Sequence, residues 1–226
     1  MTDFSKRWVN LASSKLGAVA VNCSDEFFAP MKRMLKDKPP VFIDGKYDSH
    51  GKWMDGWETR RKRIEGHDWC VVKLAKAGVI HGIEIDTAHF TGSYPPAGSV
   101  EACHFDGDAP DSSVEWRELV PQTELRGDSA HQFEVADRRA YTHIRLNLFP
   151  DGGVARLRVF AEPKVDGERI KDGELTDLAA ALNGAVALCC NDEHFGSIRN
   201  LLMPGSGVNM GDGWETRRRR EPSRPP

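Results

Sequence analysis

The chain repeats itself. Leu11-Ala12 and Gly17-Ala18-Val19-Ala20 return as Leu178-Ala179 and Gly184-Ala185-Val186-Ala187, and Cys23, Asp25, Glu26 and Phe28 return as Cys190, Asp192, Glu193 and Phe195. Between positions 11 and 28, 10 of 18 residues are identical at a constant offset of 167. The run Asp55-Gly56-Trp57-Glu58-Thr59-Arg60-Arg61 recurs as Asp212 to Arg218 at an offset of 157, so the second copy is 10 residues shorter in between (167 − 157). A period this long is not that of a solenoid and predicts two tandem domains. The first copy is expected over 1–165, a linker over 166–176 in the charged, Pro- and Gly-bearing stretch from Glu162 to Glu174, and the second copy over 177–226. With 50 residues (226 − 176), and a Glu221-Pro222-Ser223-Arg224-Pro225-Pro226 tail that matches nothing in copy one, the second copy is expected to be a truncated repeat.

Copy one reads mostly as strands. Ser24 followed by Asp25 and Glu26 suggests a helix N-cap leading into Phe27-Phe28 and Met31 to Leu35, closed by Pro39-Pro40. Short β-like runs follow over Asp68 to Leu74, Val79 to Asp86, Ser99 to Phe105, Val114 to Val120, Tyr141 to Phe149 and Val154 to Ala161. In one of them Ile144, Leu146 and Leu148 fall on one face and His143, Arg145 and Asn147 on the other. Pro150-Asp151-Gly152-Gly153 carries turn chemistry and predicts a hairpin between the two runs that flank it. Many short strands with turns between them predict an all-β, antiparallel sandwich or jelly roll.

Charge and composition narrow the partners. With 31 basic and 34 acidic residues the net charge is −3, so no global field favours nucleic acid or an anionic membrane. The basic run Arg217 to Arg220 follows Trp214-Glu215 and copies Arg60 to Arg63, so it belongs to the repeat rather than to an RNA-binding patch. No stretch approaches the roughly 20 apolar residues of a membrane-spanning helix. Five cysteines without a C-x-x-C pair argue against a disulfide scaffold or a cysteine zinc site and predict a reducing, cytoplasmic compartment.

Four segments together resemble the allantoicase family: Asn10-Leu11-Ala12 through Leu16-Gly17 to Ser24-Asp25-Glu26-Phe27-Phe28-Ala29, Gly51 to Arg63, His67-Asp68-Trp69, and Gly82 to Pro95. The likeness runs from Asn10 to Pro163 and again in copy two as far as Arg220. It implies two jelly-roll (galactose-binding-like) sandwich repeats, of which this chain has one complete and one truncated. It implies hydrolysis of allantoate to (S)-ureidoglycolate and urea in purine degradation, with allantoate as the partner, a homo-oligomer as a possible state and manganese as a possible metal. Two other readings remain beside it: a non-catalytic module that binds a small ligand, and an inactive truncated chain.

Expelling urea from the central carbon of allantoate needs a proton for the departing nitrogen, a base for the incoming water and a cation for the carboxylate. If Gly56 to Arg63 is extended, Glu58 and Arg60 share one face and Trp57, Thr59 and Arg61 the other, placing an acid beside a cation. The same spacing equally fits a surface pair of Glu58 with Arg60 and a Trp57 packed in the core. Asp86 and His89 end a strand in a Thr-, Gly- and Pro-rich segment, where His89 is a candidate acid or base oriented by Asp86. Against that, Asp86 and Thr87 are also ordinary turn residues that bond nearby backbone. The expected catalytic residues are thus Glu58, Asp86 and His89, and the expected substrate-binding residues Arg60, Arg61, Trp57 and Lys52. Eight histidines show no H-x-x-x-H or H-E-x-x-H spacing, and metal ligands are left unassigned, with convergence of His67-Asp68, His104 and Asp86-His89 the one arrangement open.

Overall fold

A computed structural model describes residues 3–165 and 173–219; residues 166–172 of the expected linker, Arg220 and the Glu221–Pro226 tail lie outside the described residues. The described residues form strands and short 3-10 turns, with every strand pairing antiparallel, as the alternating runs require.

One strand organises the sandwich. Asp68–Asp86 runs unbroken for 19 residues, where the sequence suggested two strands. Its first part pairs with Val19–Cys23 and Ala140–Phe149, and its last part with Arg156–Pro163 and Ala130–Glu134. Ala97–Cys103 and Arg117–Glu124 extend the first group, and Val9–Asn10 edges the second. Gly78 lies where the two groups of strands meet, and a Cβ there would lie 2.6 Å from the Leu11 side chain and 2.7 Å from the Glu162 carbonyl. The ladder shifts opposite Phe160/Ala161, which moves the core-facing set from Cys70, Val72, Leu74 and Ile80 to Ile83 and Ile85. These meet Ile144, Leu146 and Leu148 and the inner residues Leu157, Val159 and Ala161 in one apolar core.

Three local expectations are corrected. Pro150 to Gly153 does not close a hairpin: the flanking strands each pair with the long strand, and Gly153–Val154 pairs with Trp57–Glu58 instead. Ser24 caps no helix, because its hydroxyl donates to Asp68 Oδ1 (2.8 Å) and accepts from the Trp69 amide (2.9 Å). Met31–Leu35 is a 3-10 turn entered from Pro30, with Glu26 accepting from the Met31 amide at 2.9 Å. The Val19–Cys23 and Ala130–Glu134 strands are both exposed or half-buried along their whole length, so neither carries the apolar alternation that marks a strand in sequence.

The second copy repeats the turns of the first over its described residues, though Val186–Cys190 forms no strand where Val19–Cys23 does. The turns Ser14–Leu16 and Ala181–Asn183 both end on a left-handed glycine, Gly17 (φ 104°) and Gly184 (φ 95°). Met31–Leu35 matches Ile198–Leu202, and the indole N–H of Trp57 reaches the Asp25 carbonyl (2.8 Å) as that of Trp214 reaches Asp192 (2.9 Å). Ala181 is buried, and Leu182, Val186, Leu202 and Met203 pack on the core of copy one, whereas Leu188, Phe195 and Leu201 stay exposed.

A buried ion pair fastens the motif loop to the sandwich. Arg156, with its side chain 1% exposed, donates to Asp55 Oδ2 at 2.6 Å, to the Asp55 carbonyl at 2.7 Å and to the Lys38 carbonyl at 2.9 Å. Lys36 meets the other Asp55 oxygen at 2.6 Å, and the Val41 amide donates to Oδ2 at 3.2 Å. Burial alone would raise the Asp55 carboxyl, but these bonds outweigh it and hold it below the usual carboxylate range. Asp55→Ala leaves Arg156 buried without its partner and is expected to cost about 3–5 kcal/mol in urea unfolding near neutral pH. Because the folded carboxyl titrates low, its stabilisation is present above the ordinary carboxylate pKa and is lost as pH falls through the folded value, so the gap between the two proteins narrows in acid. Equal stabilities near neutrality would refute this role.

Candidate active site

The DGWETRR motif, the segment after Asp86 and the 40–53 loop meet at one end of the sandwich. Trp57–Glu58 pairs with Gly153–Val154 on one side and bridges to Ala29 on the other. The Thr59 hydroxyl accepts from the Gly152 amide at 3.1 Å, and the Gly153 amide donates to the Ser93 carbonyl at 2.7 Å. Phe90, Met54 and Ala155 form a small second core beneath this end. Gly153 is required there, since any Cβ would run into the Phe90 ring.

Trp57 is fully buried with its N–H spent on Asp25, so it packs the core and offers no face to a ligand. Arg60 does not pair with Glu58. Its Nε and Nη2 donate to Asp25 Oδ1 at 3.0 and 2.7 Å, its own amide donates to Oδ2 at 2.7 Å, and its guanidinium lies 5.0 Å from the Phe27 ring centre. Among the described residues Arg61 is exposed and makes no ion pair or hydrogen bond. Lys52 sits 4.6 Å over the Phe42 ring, and Phe42 lies 5.9 Å from His89, so the 40–53 loop brings Lys52 and His89 to the same aromatic ring.

Asp86 and His89 do not form an oriented pair. Asp86 Oδ1 accepts from the Ala88 amide at 2.8 Å, and its other oxygen faces Arg158 at 3.8 Å. Thr87 accepts from the Ser129 amide and donates to the Arg126 carbonyl, so both residues bond the turn backbone. His89 adopts a left-handed φ of 68°, with its amide on Asp128 Oδ1 (2.8 Å) and its Nε2 3.2 Å from the Pro40 carbonyl. A carbonyl only accepts, so Nε2 carries the proton in the neutral ring and Nδ1 keeps the lone pair.

Glu58 is half-buried, and burial raises its carboxyl above the usual range, against a smaller lowering by a Ser93 hydrogen bond. Burial likewise raises Asp86, opposed by the Ala88 amide and by Arg158. Asp25 is the reverse: burial would raise it, but the bonds from Arg60 hold it low. Ser93, Asp25, Phe27, Pro40 and Phe42 belong to this end and were not among the residues expected there. Only Asp25 had a signal, its return as Asp192 beneath the second Trp-Glu-Thr motif.

The residues do not fit a metal centre. Among the described residues no three His, Cys, Asp or Glu groups converge on one point. Asp68 is engaged by Lys62 (2.7 Å) and Ser24, His67 faces Asn147, and His104 pairs with Asp106 at the surface. A cavity of about 860 Å³ lies at the seam between the two copies and is lined, among others, by Lys36, Lys38, Pro39, Val41 and Arg158.

The comparison with known proteins decides the family. The allantoicase repeat matches residues 9–164 and again 176–224. This chain belongs to the allantoicase family. It is 59% identical over 220 residues to "Probable allantoicase 1" of Burkholderia mallei and 56% identical to "Probable allantoicase" of Ralstonia nicotianae, each match covering 97% of this chain. The crystal structure of the Saccharomyces cerevisiae allantoicase superposes with a TM-score of 0.82 at 38% identity, covering 98% of this chain and 69% of that one. The chain spans 65% of the length of the Burkholderia allantoicase and 66% of the Ralstonia one.

A raised carboxyl destabilises the folded state once the unfolded chain ionises, and has no such effect where both states are protonated. Glu58→Gln is therefore expected to raise the melting temperature at about pH 7.5 and to leave it unchanged at about pH 4. A melting temperature that does not rise at the higher pH would show that burial does not raise the Glu58 carboxyl.

Proposed function

We propose that this chain carries the catalytic end of an allantoicase and hydrolyses allantoate to (S)-ureidoglycolate and urea. The observation that carries the reading is the half-buried Glu58, whose carboxyl is biased toward its protonated form at the end where His89, Lys52 and Arg61 also lie. Family membership supplies the substrate class, since the relatives bear the allantoicase name.

In this reading Glu58 gives its proton to the departing ureido nitrogen as the bond from that nitrogen to the central carbon breaks. His89 Nδ1 accepts a proton from the water whose oxygen bonds to that carbon, and urea leaves as a neutral molecule. Arg61 and Lys52 are the cations left for the substrate carboxylate, because Arg60 is held by Asp25. Asp86 supports the turn that presents His89 rather than touching the substrate. Five free cysteines support a reducing compartment such as the cytoplasm, and no helix among the described residues is long and apolar enough to cross a membrane. The exposed Leu188, Phe195 and Leu201 favour a homo-oligomer that covers them.

Urea release from allantoate by the 226-residue chain tests the proposal. Glu58→Gln is expected to lower kcat by about 10²–10⁴-fold, and Arg61→Ala to raise KM more than it lowers kcat. Thermal stabilisation by allantoate without urea release would instead indicate a binding module, and neither effect in a folded sample would overturn the assignment.

A further inference from the structure

The two copies of the DGWETRR motif grip the same segment from opposite sides. The strap from Lys36 to Val41 is fixed from within by the first motif aspartate, through Lys36 and the Val41 amide on Asp55, and through the Lys38 carbonyl on Arg156. Asp212, the Asp55 counterpart of copy two (55 + 157), reaches the strap from outside. Its Oδ1 lies 3.8 Å from Lys38 Nζ and 3.1 Å from Lys15 Nζ. Asp212 cannot reproduce the pairing of Asp55 inside its own copy, because the position aligned with Lys36 is Met203 (36 + 167). It takes two lysines of copy one instead, and its side chain is 12% exposed. Two residues beyond Lys38, the Pro40 carbonyl holds the His89 ring at Nε2.

We infer that Asp212 is a positioning residue for His89: through Lys38 the second copy sets the strap whose Pro40 carbonyl fixes the orientation and tautomer of the imidazole. The inference rests on the proposed role of His89 for its catalytic consequence but not for its structural content. The motif of copy two then has a task distinct from that of copy one, which is to brace the site of its neighbour. Removing the carboxylate releases the Lys38 side chain, while the Lys38 carbonyl on Arg156 and the Val41 amide on Asp55 still hold the backbone of the strap, so a small shift at Pro40 and not loss of the fold is expected.

The test is the Cε1–H cross-peak of His89 in a histidine-labelled full chain, assigned by its loss in His89→Gln. Asp212→Asn and Lys38→Met are each expected to shift this peak, Asp212→Glu to restore it, and His104 at the far surface to stay unmoved. In urea release, Asp212→Asn is expected to lower kcat about twofold to fivefold with KM unchanged, the rate equivalent of one exposed ion pair. A His89 peak that moves in neither variant overturns the inference. So does a peak that moves with Lys38 but not with Asp212, since the strap would then act without the second copy; movement with Asp212 alone would overturn the route through Lys38. The NMR outcome stands whether or not the chain releases urea, so failure of the proposed activity and failure of this coupling are told apart.

Discussion

Asp55 and Arg156 carry opposite charges in a place that water does not reach, and the functional end of the sandwich is hung from that contact. Desolvating both groups is unfavourable, and the arrangement holds because every remaining polar atom is answered: Lys36 and the Val41 amide on the carboxylate, and the Lys38, Asp55 and Ala155 carbonyls on the guanidinium. The partners come from the strap, the motif loop and the Arg156–Pro163 strand, so one charge pair ties together three segments distant in sequence. The motif Asp-Gly-Trp-Glu-Thr-Arg-Arg is in this sense a structural device first. Its aspartate anchors, its tryptophan fills the core, and its first arginine closes on Asp25. Glu58 and Arg61 are what remain for chemistry.

How much of this the sequence disclosed follows from the range of each interaction. The repeat was legible because identity at fixed offsets needs no three-dimensional information, and the structure returns it down to the paired indole hydrogen bonds. The core faces of the Ala140–Phe149 strand were legible because alternation is local. The Pro150 to Gly153 hairpin was misread because turn residues report a change of direction and not which strand lies beside which. The helix cap at Ser24 was misread for a related reason: a serine hydroxyl has no local sign that it will be claimed by Asp68, 44 residues away.

The candidate site shows the same division. Asp86 and Thr87 behave as turn residues, which their composition allowed, while Glu58, Lys52 and His89 gather at one end only because loops of different origin meet there. No spacing rule connects Phe42 to His89, or Pro40 to the proton on Nε2. The separation of Arg60 from Glu58 was equally hidden, since alternation put the two on one face and Asp25 then took the arginine.

The long Asp68–Asp86 strand also dictates when the molecule can fold. It leaves the ribosome early, yet the strands that pair with it on both groups, Ala140–Phe149 and Arg156–Pro163, are synthesised more than 50 residues later. Until they arrive, the 19-residue strand has only Val19–Cys23 beside its first part, in a topology whose contacts are mostly distant in sequence. Both groups of strands share this one backbone, so a defect in it is felt in both. The sheet is thereby completed only when the last strands are made, and until then the long strand's edges are open to pairing with other chains.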